Sequence, residues 1–250
     1  MKLNDNNIIY HRFSKLEMKK NIAVCFHLYY LDLFTEFTPY IDNVLEYDPE
    51  TDIYITYQCT ENELIPIKEK YPNAVYFYTP LGCDTGAFLY CADYFYKNNL
   101  VYHYIFKIHT KKNVGWRVGM LNPIAMNVET VDKIIRKFKH HLNYGLIGSK
   151  HFKCSYIGSN KYMIDEVFKS AHVRYNLSKK FYFLAGTIFW IRGRILHKFC
   201  KKAVKYGNEP IMYYNQCEPK YPHEPSYTHS WERMIAYLTK YFGYKIKWIE

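Results

Sequence analysis

Apolar and polar positions follow two rhythms along the first 110 residues. Residues 21–30, NIAVCFHLYY, form an almost unbroken apolar run rich in β-branched and aromatic side chains. That is the pattern of a strand buried on both faces. Residues 31–47 then carry Leu31, Phe34, Phe37, Ile41, Val44 and Leu45 at helical spacing. Residues 52–59 predict a second strand, 61–71 a helix and 73–79 a third strand. A Pro80-Leu81-Gly82 turn leads into a helix over 84–98, and 101–109 is a fourth strand. Strand and helix alternate, which predicts βαβ units, right-handed crossovers and a mostly parallel sheet.

The second half is less regular. Helices are predicted over 117–126 and 128–142, a short strand over 144–149 and a helix over 194–206. Residues 181–192 form one long apolar segment with Gly186 inside it. Residues 207–228 hold Pro210, Pro219, Pro222 and Pro225 among tyrosines, which predicts a long ordered loop. A helix over 229–241 ends at Gly243, and a strand over 244–249 closes the chain. Residues 1–20 are polar and patternless, an N-terminal arm. The rest, 21–250, is read as a single domain with a regular half, 21–112, and an irregular half, 113–250. A chain of 250 residues is near the upper size for one core.

Hydrophobic residues make up 49% and charged residues 23%, which excludes wholesale disorder. Aromatics reach 19%, with 28 tyrosines. Such side chains stack on rings and sugars, although the codon bias of an AT-rich genome enriches tyrosine too. The net charge of +11 favours anionic partners without choosing among them. The cysteines Cys25, Cys59, Cys83, Cys91, Cys154, Cys200 and Cys217 are odd in number and contain no Cys-x-x-Cys pair. Zinc-ribbon and thioredoxin-like readings therefore have no support, and reduced thiols in a cytoplasmic setting are expected. No signal-peptide core and no run of about 18 apolar residues is present, so no transmembrane segment is expected.

The usual signatures are missing. There is no P-loop and no G-x-G-x-x-G, no G-x-S-x-G elbow and no H-E-x-x-H. His140 and His141 are adjacent on a helix, point apart and read as surface. Four segments stand out instead. In Leu81-Gly82-Cys83-Asp84-Thr85-Gly86-Ala87-Phe88, a strand gives way to a helix, where open α/β sheets bind ligands. Asp84 or Thr85 either caps that helix or grips a ligand hydroxyl. In Phe106-Lys107-Ile108-His109-Thr110-Lys111-Lys112, alternation puts Lys107 and His109 on one side of the strand. These cations form either a solvated turn or an anion site suited to a diphosphate, with Trp116 and Arg117 as wall and fork donor. Ala185-Gly186-Thr187-Ile188-Phe189-Trp190-Ile191-Arg192 is core or a place where a ligand approaches the backbone. In His229-Ser230-Trp231-Glu232-Arg233, Glu232 either answers a helix dipole or is a carboxylate base.

Together and in this order, G-x-D-x-G-x-F, K-I-H-T-K-K with W-R, A-G-T-I-F-W-I-R and H-S-W-E-R resemble the rhamnan synthesis protein F family over about residues 21–245. The resemblance implies an α/β fold of the GT-A nucleotide-sugar type, with a mixed, mostly parallel central sheet. It implies a glycosyltransferase of polysaccharide biosynthesis that moves rhamnose or another hexose from a UDP- or dTDP-linked donor to a glycan acceptor. In the wider inverting GT-A pattern a carboxylate lies about a dozen residues before a Gly-Tyr step. Counting back eleven residues from Gly243-Tyr244 reaches Glu232. The pattern's Asp-x-Asp, which holds a divalent cation, is replaced here by Lys107-Ile108-His109. A Mn or Mg requirement is therefore open, with His109 at most a ligand.

The roles expected on that resemblance are as follows. Glu232 is the base, with Asp84 next in line. His27, Tyr29, Asp84, Thr85, Lys107, His109, Lys111, Trp116, Arg117, Gly186 and Thr187 meet the donor. His229, Arg233 and Trp190 meet the acceptor, and the tyrosine-rich loop covers it. Two readings from other classes stand beside this one: a non-catalytic nucleotide- or glycan-binding module, and a basic nucleic-acid-binding protein. The second lacks any RRM, KH or helix-turn-helix signature.

Overall fold

The computed structural model describes residues 20–80, 83–155, 158–174, 181–208 and 225–250. Nearly all of the predicted arm, the Leu81-Gly82 step and most of the predicted proline-rich loop lie outside these residues.

The regular half forms as its periodicity predicts. Strand β1 (Lys20–Leu28) leads through a short 3₁₀ turn into helix α1 (Phe34–Tyr47). β2 (Asp52–Tyr57), α2 (Glu61–Lys70), β3 (Val75–Tyr78), α3 (Cys83–Lys97) and β4 (Tyr102–His109) follow. α2 starts at a capping box between Thr60 and Glu63, which satisfies donors that a helix start leaves unpaired.

The irregular half contains α4 (Val114–Ala125), α5 (Val128–His140) and β5 (Tyr144–Ser149). Asn113 and Asn127 accept from the N–H groups of Trp116 and Thr130 and so start the two helices. β6 (Lys153–Cys154), α6 (Lys161–Ser170) and β7 (Phe183–Leu184) come next. β8 (Phe189–Arg192), α7 (Gly193–Lys205), α8 (Tyr227–Tyr241) and β9 (Lys245–Ile249) are the remaining elements of the described residues. The long apolar segment over 181–192 is therefore two strands with a turn at Gly186 and Thr187.

Among the described residues seven strands make one sheet in the order β3-β2-β1-β4-β8-β5-β9. Of these strands β8 alone runs antiparallel to its neighbours, β4 and β5. A two-stranded ladder, β6-β7, stands beside the main sheet. Helices cover both faces. One layer packs Phe37, Ile41, Met120, Ile134 and Phe138 against Val24, Phe26, Phe106 and Trp190. The other packs Phe88, Phe199 and Trp231 against Cys25, Ile105, Phe189 and Ile191. Burial on both faces explains why the central strands read as continuous apolar runs. This is a mixed α/β fold with a mostly parallel sheet, consistent with the GT-A-like fold that the resemblance implies.

α8 begins at Tyr227, two residues before the predicted start, because Ser226 caps it by accepting from the His229 N–H. Glu232 consequently lies in the second turn. The dipole of a helix acts within its first turn, so it does not account for this carboxylate.

Candidate active site

The chain leaves β1 for β2 on one side and later returns to place β4 on the other. Both are parallel to β1. At such a switch point the loops diverge and leave a crevice at the carboxyl ends of the strands. A cleft of about 380 Å³ opens there, lined by His27, Tyr29, Asp84, His109, Lys111 and Lys112 among others. His27 and His109 are direct partners in the β1–β4 register. Alternation puts Cys25, His27, Lys107 and His109 on one face, under α3 and α8.

Thr110 closes the floor. Its Oγ1 accepts from the N–H groups of Tyr29 and Tyr30, at 3.0 and 2.9 Å. Its own N–H donates to the His27 carbonyl at 3.1 Å. Sequence reading passed over this residue, because a threonine at a strand exit carries no signal of a partner 81 positions away.

The deepest element is an ion pair. Lys107 Nζ donates to Asp84 Oδ2 at 2.7 Å, to the Thr187 carbonyl at 2.8 Å and to Thr187 Oγ1 at 2.9 Å. Three acceptors match the three protons of an ammonium. Thr187 Oγ1 donates to the same Asp84 oxygen. His109 Nδ1 completes the cluster, 3.3 Å from Nζ and 3.5 Å from Asp84 Oδ2. Burial alone would raise the Asp84 pKa, but the Lys107 charge and the hydrogen bonds from Lys107 and Thr187 hold the carboxyl well below the usual carboxylate range. Burial pulls the Lys107 pKa down against the Asp84 charge. The geometry is that of a charged pair, and both partners are held by further hydrogen bonds.

Burial also keeps both histidines neutral. It lowers His109 well below its ordinary value and His27 to about 4. His27 Nδ1 is 2.9 Å from Thr56 Oγ1, which in turn donates to the Phe26 carbonyl. The hydroxyl is thereby an acceptor for the imidazole, which places the ring proton on Nδ1.

Glu232 hangs above this cluster from α8. Its Oε1 accepts from the Gly186 N–H at 2.5 Å, and its Oε2 lies 3.2 Å from Arg233. Burial pushes its pKa up to about 7, against the Gly186 hydrogen bond and the Arg233 charge, and the nearby Asp84 adds to the rise. Gly186 and Thr187 both have positive φ, +84° and +50°. A β-carbon on Gly186 would stand 2.6 Å from Met120 Sδ, and the φ of +84° strains any residue but glycine. This turn aims the Gly186 N–H at Glu232 and the Thr187 carbonyl at Lys107, and so ties the two carboxylates into one site.

The other predicted residues are distributed unevenly. Lys111 and Lys112 line the cleft, each over an aromatic ring. Arg117 is buried in an ion pair with Glu36 and donates to the Lys111 carbonyl at 3.3 Å. It supports the cationic turn from beneath. Thr85 is buried in the first turn of α3. Arg233 donates to the His229 carbonyl and packs on the Phe183 ring, away from solvent. His229 Nδ1 is 2.7 Å from Ser226 Oγ in the capping turn. Trp190 lies on the opposite face of the sheet, stacked 4.7 Å from Phe106, and donates to the Ile124 carbonyl. Strand alternation separates it from Phe189 and thus from the cleft.

Among the described residues no group of three or more His, Cys, Asp or Glu side chains converges as a metal site would require. The nearest candidates do not fit a divalent ion, because the Asp84 carboxylate is already matched by the Lys107 ammonium. Among the described residues no helix is long and apolar enough to cross a membrane.

Comparison with curated proteins and with solved structures finds no match. A family model described as rhamnan synthesis protein F matches residues 2–244, nearly the whole chain. The chain belongs to the rhamnan synthesis protein F family, which gives it a glycosyltransferase-like role in rhamnan synthesis.

Proposed function

We propose that the chain transfers rhamnose or another hexose from a UDP- or dTDP-linked donor to a glycan acceptor, with inversion and with Glu232 as general base. The observation that carries this reading is Glu232 itself. It is a carboxyl with a pKa near 7, fixed by the Gly186 N–H and close enough to the Lys107–Asp84 pair to act on it electrostatically. A base is most effective when its pKa lies near the working pH.

The step balances as an in-line displacement. The acceptor hydroxyl attacks the anomeric carbon as Glu232 takes its proton. The bond from that carbon to the diphosphate oxygen breaks, and its electron pair leaves with the nucleoside diphosphate. Fixed charge placed where negative charge develops lowers such a barrier. Lys111 and Lys112 supply it at the rim, and the Lys107–Asp84 pair holds the floor rigid beneath them. His27 and Tyr29 border the nucleoside end of the cleft. The choice of donor rests on the family alone.

The test is direct. The full chain is incubated with UDP- and dTDP-hexoses and a short rhamnose-containing glycan, and release of nucleotide and the mass of the glycan are followed. The expected result is one added hexose per nucleotide released. Binding of UDP and dTDP without transfer, on any acceptor of that series, points to a binding module. Thermal stabilisation by an oligonucleotide but by neither nucleotide overturns the reading.

A further inference from the structure

We propose that Lys111 is a movable cover on Trp116, and that its transfer to the donor diphosphate exposes the indole as the stacking platform for the acceptor sugar. This rests on the reading of the cleft as a nucleoside-diphosphate-sugar site.

Trp116 is 38% exposed, whereas Trp190 and Trp231 are completely buried. It stands in the first turn of α4, backed by the Phe152 ring at 4.9 Å. Its Cε3 lies 3.3 Å from where a Gly186 β-carbon would be, and the Gly186 N–H holds Glu232. The half-exposed indole is therefore one residue away from the carboxylate that would deprotonate an acceptor. Aromatic faces of this kind suit the apolar faces of sugar rings.

One face is occupied by a lysine. Lys111 Nζ sits over the indole, 4.8 Å from its centroid. The same lysine lines the cleft and acts electrostatically on Glu232. Its backbone is pinned, because its carbonyl accepts from Arg117 and Arg117 is paired with Glu36. Movement is thus confined to the lysine side chain, which has four rotatable bonds and three donors. A cation over an exposed ring is held weakly. A charge-assisted hydrogen bond to a diphosphate oxygen is stronger. When a diphosphate enters the cleft, the ammonium moves to it and the indole face is freed. Donor then precedes acceptor, and the nucleotide product leaves before Lys111 covers the ring again.

The experiment titrates the full chain with UDP and dTDP while heat and tryptophan emission are read in parallel. The wild type, Trp116→Phe and Lys111→Met are compared. In the wild type the emission should change along the same saturation curve as the heat. Trp116→Phe should still give heat on nucleotide binding but show no emission change. Lys111→Met should start with an uncovered indole and show none either. In transfer assays Trp116→Ala should raise the acceptor KM roughly tenfold, with Trp116→Phe restoring most of the loss. Heat without an emission change in the wild type overturns the inference alone, as does a change that persists in Trp116→Phe. Absence of heat with both nucleotides overturns the reading of the cleft, and this inference with it.

Discussion

Lys107 Nζ lies 2.7 Å from Asp84 Oδ2 on the floor of the cleft, with only 2% of the lysine side chain exposed. In the wider fold pattern the strand that bears Lys107 ends in paired carboxylates for a cation. Here the positive charge is covalently part of the chain, and the carboxylate comes from the first turn of α3 instead. The Thr187 turn accepts two protons of the ammonium and so connects this pair to Glu232 through Gly186.

Breaking that pair should be expensive. Lys107→Met leaves Asp84 partly buried without its ammonium, and loss of one partner of a buried pair costs about 3–5 kcal/mol. Urea unfolding at pH 7 reads this directly. The pH dependence has a definite sign. The Asp84 pKa is held below its unfolded value, so its contribution is complete above about pH 4 and is lost as pH falls further. Asp84→Asn should abolish that acid-side loss, and a wild-type acid limb retained in Asp84→Asn would show that other groups cause it.

The internal ammonium also bears on cofactors. Turnover should survive EDTA at least in part, since Asp84 is already neutralised by Lys107. Complete loss with EDTA and full recovery with manganese would assign the work to a metal.

Much of this arrangement was legible in the sequence, and its limits are physical. The period of two placed Lys107 and His109 together, and the same period places Phe189 beside Lys107 and Trp190 beside Phe106. The run over 181–192 concealed this, because a strand covered on both faces shows no alternation of polarity. Partners were not legible. Lys107 meets Thr187 80 positions away and Arg117 meets Glu36 81 away, and no local pattern encodes such pairs. The predicted start of α8 at 229 is two residues late because Ser226 is the cap. That small shift decides whether Glu232 is read as a helix-start residue or as part of the site.

The Gly186 turn gives a prediction of its own. Gly186→Ala places a β-carbon against Met120 Sδ and Cε, at 2.6 and 2.9 Å, with φ fixed at +84°. The left-handed backbone strains alanine and Met120 has to shift, at a cost of about 1–3 kcal/mol. The same shift should disturb the N–H that holds Glu232, so kcat should fall further than the loss of folded protein explains. Melting temperature and kcat per folded molecule, measured on one preparation, separate the two effects.

Glu232 provides the sharpest case. Its pKa is raised to about 7, so the base form is lost as pH falls through neutrality, and turnover should fall with it on a single acid limb. Stability should move the opposite way. A carboxyl whose folded pKa is raised from 4.5 to about 7 binds a proton more readily folded than unfolded. The wild type therefore loses stability as pH rises from about 4.5 to 7. Glu232→Gln keeps the acceptor for the Gly186 N–H but cannot take a proton. Its kcat should drop by about 10²–10⁴-fold, its nucleotide affinity should stay near wild type, and its stability should no longer decline over that pH interval. A purely structural Glu232 predicts the stability change with turnover per folded molecule intact. If kcat of Glu232→Gln is near wild type while its stability profile flattens, the carboxyl is a buried structural acid and the base lies elsewhere in the cleft.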